Sequence, residues 1–167
     1  MMKKLTALLA VVMLLCAAWA ETDADYGRVE MTDTLETVVQ KLNEPAWTQE
    51  GYADFGGVLC AFYESGRLQA KAVKFDDIHA VAMATEVDFA PVRKLRQGTS
   101  IESVREIMGS EGTEIVRINP SDEENSGVMC VLAWKKEDGS VMQTLFEMED
   151  GKWVLFAAVE NIENEGK

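Results

Sequence analysis

The chain has 167 residues, 47% hydrophobic and 27% charged, with 29 acids against 16 bases and a formal net charge of −13. Such acidity excludes nucleic-acid binding through phosphates and disfavours anionic membrane surfaces. The length fits one compact unit, or two small ones sharing a core.

Lys3 and Lys4, the apolar run Leu5–Ala18 and the small-x-small Ala18-Trp19-Ala20 together read as a secretory signal over residues 1–20, cleaved before Glu21. The rival is a lipoprotein signal on Cys16. The position before a lipidated cysteine normally holds a small side chain, and Leu15 stands there. Simple cleavage and a secreted, extracellular or periplasmic location are therefore expected, with membrane association only if Cys16 is lipidated. Removing the first 20 of 167 residues leaves 147 and takes two lysines away, so −13 becomes −15. Solubility outside the cell is the ordinary use of that charge, and attraction to a basic partner is the sharper one.

After a polar start, Glu21–Tyr26, the first helix is expected over Thr32–Asn43. Asp33 with Glu36 forms a capping pattern, Leu35, Val38 and Leu42 make an i, i+3, i+7 stripe, and Asn43 suits a left-handed close. Glu44-Pro45 forbids continuation. Trp47–Asp54 reads as a short strand, Phe55-Gly56-Gly57 as a turn, and Val58–Tyr63, apolar on both sides, as a central strand. Glu64-Ser65-Gly66 fits a three-residue hairpin loop. Leu68–Phe75 returns, Asp76-Asp77 turns, and Ala80–Val87 is the last expected strand of the unit.

The pattern then recurs. Gly98–Gly109 repeats the helix: Thr99 and Glu102 make a capping box, and Ile101, Val104 and Met108 match Leu35, Val38 and Leu42 at a constant offset of 66. Gly127–Cys130 repeats Gly57–Cys60 at an offset of 70, after a polar loop, Asn119–Ser126, that contains Pro120. Val141–Met148 matches Leu68–Phe75, and Trp153–Val159 matches Ala80–Glu86. Matching across a helix, two hairpins and their turns argues for duplication. The expected fold is α+β: two tandem repeats, 21–91 and 92–167, each one helix or helix pair on a three- to four-stranded antiparallel sheet. With both strand faces apolar, either the two sheets cover each other or one face stays partly open to bind.

The inventory for chemistry is thin. His79 is the single histidine, beside a turn, with no second ligand type near it, so no metal is expected. No serine carries a nucleophile motif, and the GKS/T phosphate loop is missing. Cys60 and Cys130 sit inside apolar runs at matching places, which favours buried unpaired thiols over a disulfide. Carboxylates are plentiful but cluster in turns and on helix faces. No catalytic residue, cofactor or metal is assigned.

Gly98-Thr99-Ser100 with Val104 and Met108-Gly109, followed by Val58–Leu68-like strands, resembles the helix-and-hairpin signature of the β-lactamase-inhibitor-protein-like superfamily, the group that also holds the SmpA/OmlA assembly lipoproteins. PepSY-like secreted domains are a second resemblance. The first resemblance implies tandem helix-plus-sheet units and a non-enzymatic, inhibitor-like or envelope-protein-binding role. The chain departs from it with one cysteine per unit and with Thr32 at the signature glycine, and no inhibitory loop residue matches. The expected function is a secreted protein-binding module, its partner another protein of basic character. An envelope structural or lipid-associated scaffold is the alternative, and a carboxylate-based hydrolase the third.

Tyr63, Trp134, Phe146 and Trp153 are the expected sheet-face anchors, because aromatics dominate desolvated interfaces. At least two should be accessible on the face away from the helices. A three-residue loop sets Phe62 opposite Leu68. Glu137-Asp138-Gly139 as the second loop sets Leu132 opposite Thr144 and Trp134 opposite Met142. The two units then disagree about which alternation faces the helix, so one loop is expected to be a residue off.

Overall fold

The two eight-residue helices each begin where a hydroxyl caps them, and both caps sit one residue later than the sequence pattern suggested. The computed structural model describes residues 24–122 and 127–162; the expected signal peptide, Cys16 with it, and the end of the chain lie outside the described residues. The described chain is α+β, with five short α-helices and nine strands. The helices are α1 (Ala24–Arg28), α2 (Leu35–Leu42), α3 (Ile78–Val81), α4 (Ala90–Arg93) and α5 (Ile101–Met108). The strands are β1 (Trp47–Gln49), β2 (Tyr52–Asp54), β3 (Val58–Phe62), β4 (Leu68–Val73), β5 (Met83–Ala84), β6 (Thr113–Ile118), β7 (Met129–Lys135), β8 (Ser140–Glu149) and β9 (Lys152–Ile162).

The α2 cap is Thr34, whose hydroxyl accepts from the Thr37 N–H while Thr37 answers to the Thr34 N–H, a capping box without glutamate. Asp33, the expected cap, is buried instead. It accepts from the Glu30 N–H at 2.7 Å and from Lys41 Nζ at 2.7 Å. The α5 cap is Ser100, accepting from the Ser103 N–H at 3.2 Å, while Thr99 donates to the Arg96 carbonyl. Gly109 closes α5 in the left-handed conformation, as its position implied. All of Ile101, Val104 and Met108 are buried, but on α2 Leu35 stays 40% exposed and only Val38 and Leu42 bury.

The chain divides into two compact units, neither of them contiguous. One takes residues up to Ile78 together with Val116–Val128; the other takes His79–Ile115 and the chain from Met129 on. The sequence reading placed a single cut between 91 and 92. Strand β6 is shared out by this division, Thr113–Ile115 to the second unit and Val116–Ile118 to the first. At the boundary inside β6 no polar linker marks the crossing, so composition could not show it.

In the first unit the strand order is β1-β2-β3-β4-β6. The expected single strand over Trp47–Asp54 is a hairpin, turned at Glu50 and Gly51, which both have positive φ. Its core takes Val38 and Leu42 from α2, and Val58, Cys60, Leu68, Ala70 and Val73 from β3 and β4. Two lysines, Lys71 in β4 and Lys74 just after it, are buried there with partners supplied. Lys71 Nζ donates to the carbonyls of Tyr26 in α1 and of Val29 just past its end and lies over the Tyr26 ring, and Lys74 pairs with Asp54 at 2.9 Å.

In the second unit β7, β8 and β9 form a long antiparallel meander, and β5 lies parallel on β7. Its core joins α4 and α5 to one sheet face: Phe89, Val92, Ile101, Val104 and Met108 against Cys130, Leu132, Trp134, Met142, Phe146 and Leu155. The expected strand Ala80–Val87 is reduced to two residues. Ile78–Val81 is helical, because its terminal carbonyls find partners: Lys135 Nζ donates to His79 and Ala80, and Thr113 Oγ1 to Val81. Only Met83 and Ala84 remain as strand. Trp153–Val159, their supposed counterpart, lies within an 11-residue strand.

The register conflict resolves without any loop error. Phe62 pairs with Leu68, and Leu132 and Trp134 pair with Thr144 and Met142, all as the two loops require. A β-bulge supplies the missing residue: Phe62 pairs with Leu68 but Ala61 pairs with Ala70, so the alternation flips inside the first hairpin.

Candidate functional site

Two of the four expected anchors are core residues. Trp134 and Phe146 are fully buried in the cluster under α5. The Trp134 indole donates its N–H to Ser110 Oγ at 3.0 Å, and Gly112 leaves no room for a Cβ beside its ring. These side chains are a correction to the expected sheet-face set. Trp153 is half-buried and packs against the same cluster. Tyr63, in the first unit, is also half-buried, and its hydroxyl donates to the Asn119 carbonyl. Burial, and then the Asp122 carboxylate, push that phenol up to about 12. Arg67 pairs with Asp122 at 3.0 Å beside it. Tyr63 thus pins the Asn119–Asp122 segment to its hairpin.

The other face of the second unit's sheet carries the surface that the aromatics do not. Side chains opposite one another in an antiparallel ladder share a face. Val131 pairs with Leu145, and Leu145 with Ala157. That row alternates with Cys130, Leu132 and Phe146 of the core, so it points away from α5. All three residues are half-buried. The next row along is Ala133, Gln143 and Val159. Because Ala158 packs on the core, Val159 projects off the far face, where it is 55% exposed. Phe156 is the extra residue of a bulge, since Phe146 pairs with Leu155 and Leu145 with Ala157, and it is 45% exposed.

The sequence reading missed these residues because it weighed ring size. The usable signal was the strand Trp153–Val159 itself, which is almost wholly apolar. A strand buried on one side needs only alternate apolar positions. In the first unit the corresponding exposed ring is Trp47, 46% exposed on the edge strand β1.

A separate hollow of about 410 Å³ is lined by His79, Ala84, Thr85, Glu86, Lys135, Lys136 and Glu137. Its chemistry is already engaged in part: Lys135 holds the two α3 carbonyls and Lys136 reaches Asp138 at 3.5 Å. Nε2 of His79 is buried without a hydrogen-bond partner. Among the described residues no three His, Cys, Asp or Glu side chains gather to hold a metal.

Cys60 and Cys130 are both buried in strands, and neither is in a disulfide. Burial pushes the Cys60 thiol up to about 12, against the nearby Lys71 charge, so it is not a nucleophile at neutral pH. Burial works to raise the Asp33 carboxyl too, but bonds from Lys41 and the Glu30 N–H outweigh it and hold it below the usual range. The Ser140 hydroxyl and N–H hold Asp138 low as well. Among the described residues no helix is long and apolar enough to cross a membrane. No family model matches the chain, and no curated protein matches it.

Proposed function

We propose that this chain is an exported, non-enzymatic protein-binding module of β-lactamase-inhibitor-protein-like type, meeting its partner through the far sheet face of its second unit. The observation that carries the reading is the apolar row Val131, Leu145 and Ala157, continued by Val159 at 55% exposure. Apolar side chains held on a rigid ladder in water gain most when a partner covers them. Export rests on the Lys3-Lys4, Leu5–Ala18, Ala18-Trp19-Ala20 pattern. Descent from a duplicated unit is supported by the paired helices before each hairpin, and by Gly66 and Gly139 closing three-residue loops with φ of 83° and 82°. Against acid catalysis, among the described residues the two displaced carboxylates, Asp33 and Asp138, both move down, where a general acid needs one raised.

Quantitative capture from envelope and culture fractions, and titration with purified β-lactamases, test the reading with wild type beside Val159→Asp. A protein held by wild type and released by the variant is expected. Equal retention by both, or none by either, removes the face from consideration. A lipid on Cys16, found by mass spectrometry of the exported protein, would favour the envelope-scaffold reading instead.

A further inference from the structure

We infer that β9 takes an extended segment of the partner protein as an added strand, along the part of its outer edge that the chain itself leaves open. The inference rests on the protein-binding reading above and names how the partner is held: by its main chain, with an uncharged side chain lying beside Val159.

The order β7-β8-β9 ends at β9, and the hairpin fixes which of its backbone groups face outward. Glu149 and Lys152 flank a two-residue turn, Asp150-Gly151, with φ of 48° and 76°, so they exchange ladder bonds. Bonded and non-bonded pairs then alternate, which makes Glu147, Leu145 and Gln143 the next bonded positions of β8. Leu155, opposite Phe146, turns its N–H and carbonyl outward. The chain uses both groups: the Leu155 N–H donates to the Thr99 carbonyl at 2.7 Å, and its carbonyl accepts from the Gly98 N–H at 2.9 Å. Gln97 Nε2 then donates to the Phe156 carbonyl at 3.1 Å. There the cover ends. Past the bulge, Ala157 and Val159 bond to Leu145 and Gln143, which leaves the N–H and carbonyl of Ala158 and of Glu160 on the outer edge. Among the described residues no backbone group meets them.

A donor and an acceptor repeated every second residue along one edge fit the repeat of an extended strand, and main-chain bonds of this kind hold strands added by a partner. Residues 98–100 show the same edge accepting a backbone, antiparallel at Val154. Edges are ordinarily blunted by a bulge or a charge. Here the bulge comes before the open stretch, and the one charged side chain of residues 157–160, Glu160, is held by Arg93 at 2.6 Å. An added strand also lengthens the far face. Its side chain next to Val159 continues the row Ala133, Gln143, Val159 and covers a valine that is now 55% exposed.

The probe is a synthetic peptide alternating threonine and valine, titrated into the exported chain while NMR follows the amide signals and their hydrogen exchange. Its control has the same side chains with every backbone nitrogen methylated, which removes the donors. In the free chain the Ala158 and Glu160 amides should exchange much faster than those of Ala157 and Val159. The parent peptide should slow them, and should bind at least about tenfold tighter than the methylated one. Ala158→Pro deletes an outward donor and leaves the bonds to β8 in place, so it should lower the affinity about tenfold. An unchanged near-UV spectrum will show that this variant is folded; if it is not, the methylated peptide decides alone. Equal binding of both peptides, or shifts without slowed exchange at Ala158 and Glu160, overturns strand addition. The far-face reading survives that result if Val159→Asp still weakens binding. No binding by either peptide overturns the inference too, and the capture experiment above then decides separately whether the face holds a partner. Slow exchange at Ala158 and Glu160 in the free monomer would show a closed edge, and protection that rises with protein concentration alone would give the edge to a second copy. Either result overturns the inference.

Discussion

Gly112 shows how a single atom can govern the second core. Its φ is +74°, and a Cβ built there would lie 2.5 Å from Cζ2 of Trp134, a ring that is fully buried and tied to Ser110. The backbone strain and the ring displacement act together. Gly112→Ala should destabilise by about 2–4 kcal/mol, read as a shift in the urea midpoint. A loss below half a kilocalorie would mean the indole can move aside. Thr144 predicts the opposite sign. Its hydroxyl is buried in β8, opposite Leu132 and Ala158, without a hydrogen-bond partner. Valine keeps the shape and removes the orphaned polar atom, so Thr144→Val should stabilise by about 1 kcal/mol. A destabilised variant would show that a water or another group satisfies that oxygen.

Caps and registers show what a sequence pattern conveys about an element and where it stops. The α5 stripe and its glycine close were legible from Ile101, Val104, Met108 and Gly109 alone, because a helix on a sheet needs only that spacing. The starting residue was not. Thr99 and Ser100 are both good caps, and the choice falls to Ser100 through its bridge to Val154 on the β9 edge, which the linear pattern cannot contain. The same backbone segment shields that edge, since Gly98 donates to the Leu155 carbonyl and Leu155 to that of Thr99. Accordingly, Ser100→Ala should lower stability by about 1 kcal/mol and Thr99→Ala by much less, compared by thermal melting. Equal losses would return the cap to Thr99. The bulge at Ala61 and Phe62 was invisible for a like reason: hairpin loop length fixes register only next to the turn, and a bulge further along resets it. Ala80–Val87 has the composition of a strand, yet Lys135 and Thr113 stabilise helical ends there from distant positions in the chain. The far sheet face depended on these registers too. Val159 and Leu145 became a surface only when the bulge at Phe156 had been counted, whereas large rings drew attention to Trp134 and Phe146, which fill the core.

At the scale of the whole molecule, stability should be bounded on both sides by groups buried in the first unit. Asp33 has a carboxyl held below its ordinary 3.8, so the folded state keeps it ionised longer than the unfolded chain does. Its stabilisation is fully present above about 3.8 and is lost as the pH falls through the lower folded value. Cys60 works in the reverse sense. Burial raises its thiol from 9.0 to about 12, so the folded state keeps the proton that the unfolded state releases. That contribution is complete below pH 9.0 and declines as the pH rises toward about 12. The Tyr63 phenol, raised from 10.0 to about 12, acts in the same direction over the upper part of that window. The urea midpoint should therefore hold level between roughly pH 5 and 8, then fall steadily above pH 9. Cys60→Ala removes the titrating thiol and should flatten the start of the alkaline decline, while Tyr63→Phe should flatten only its later part. If the Cys60→Ala midpoint falls as steeply as wild type between pH 9 and 10, the thiol is not the source of the early decline.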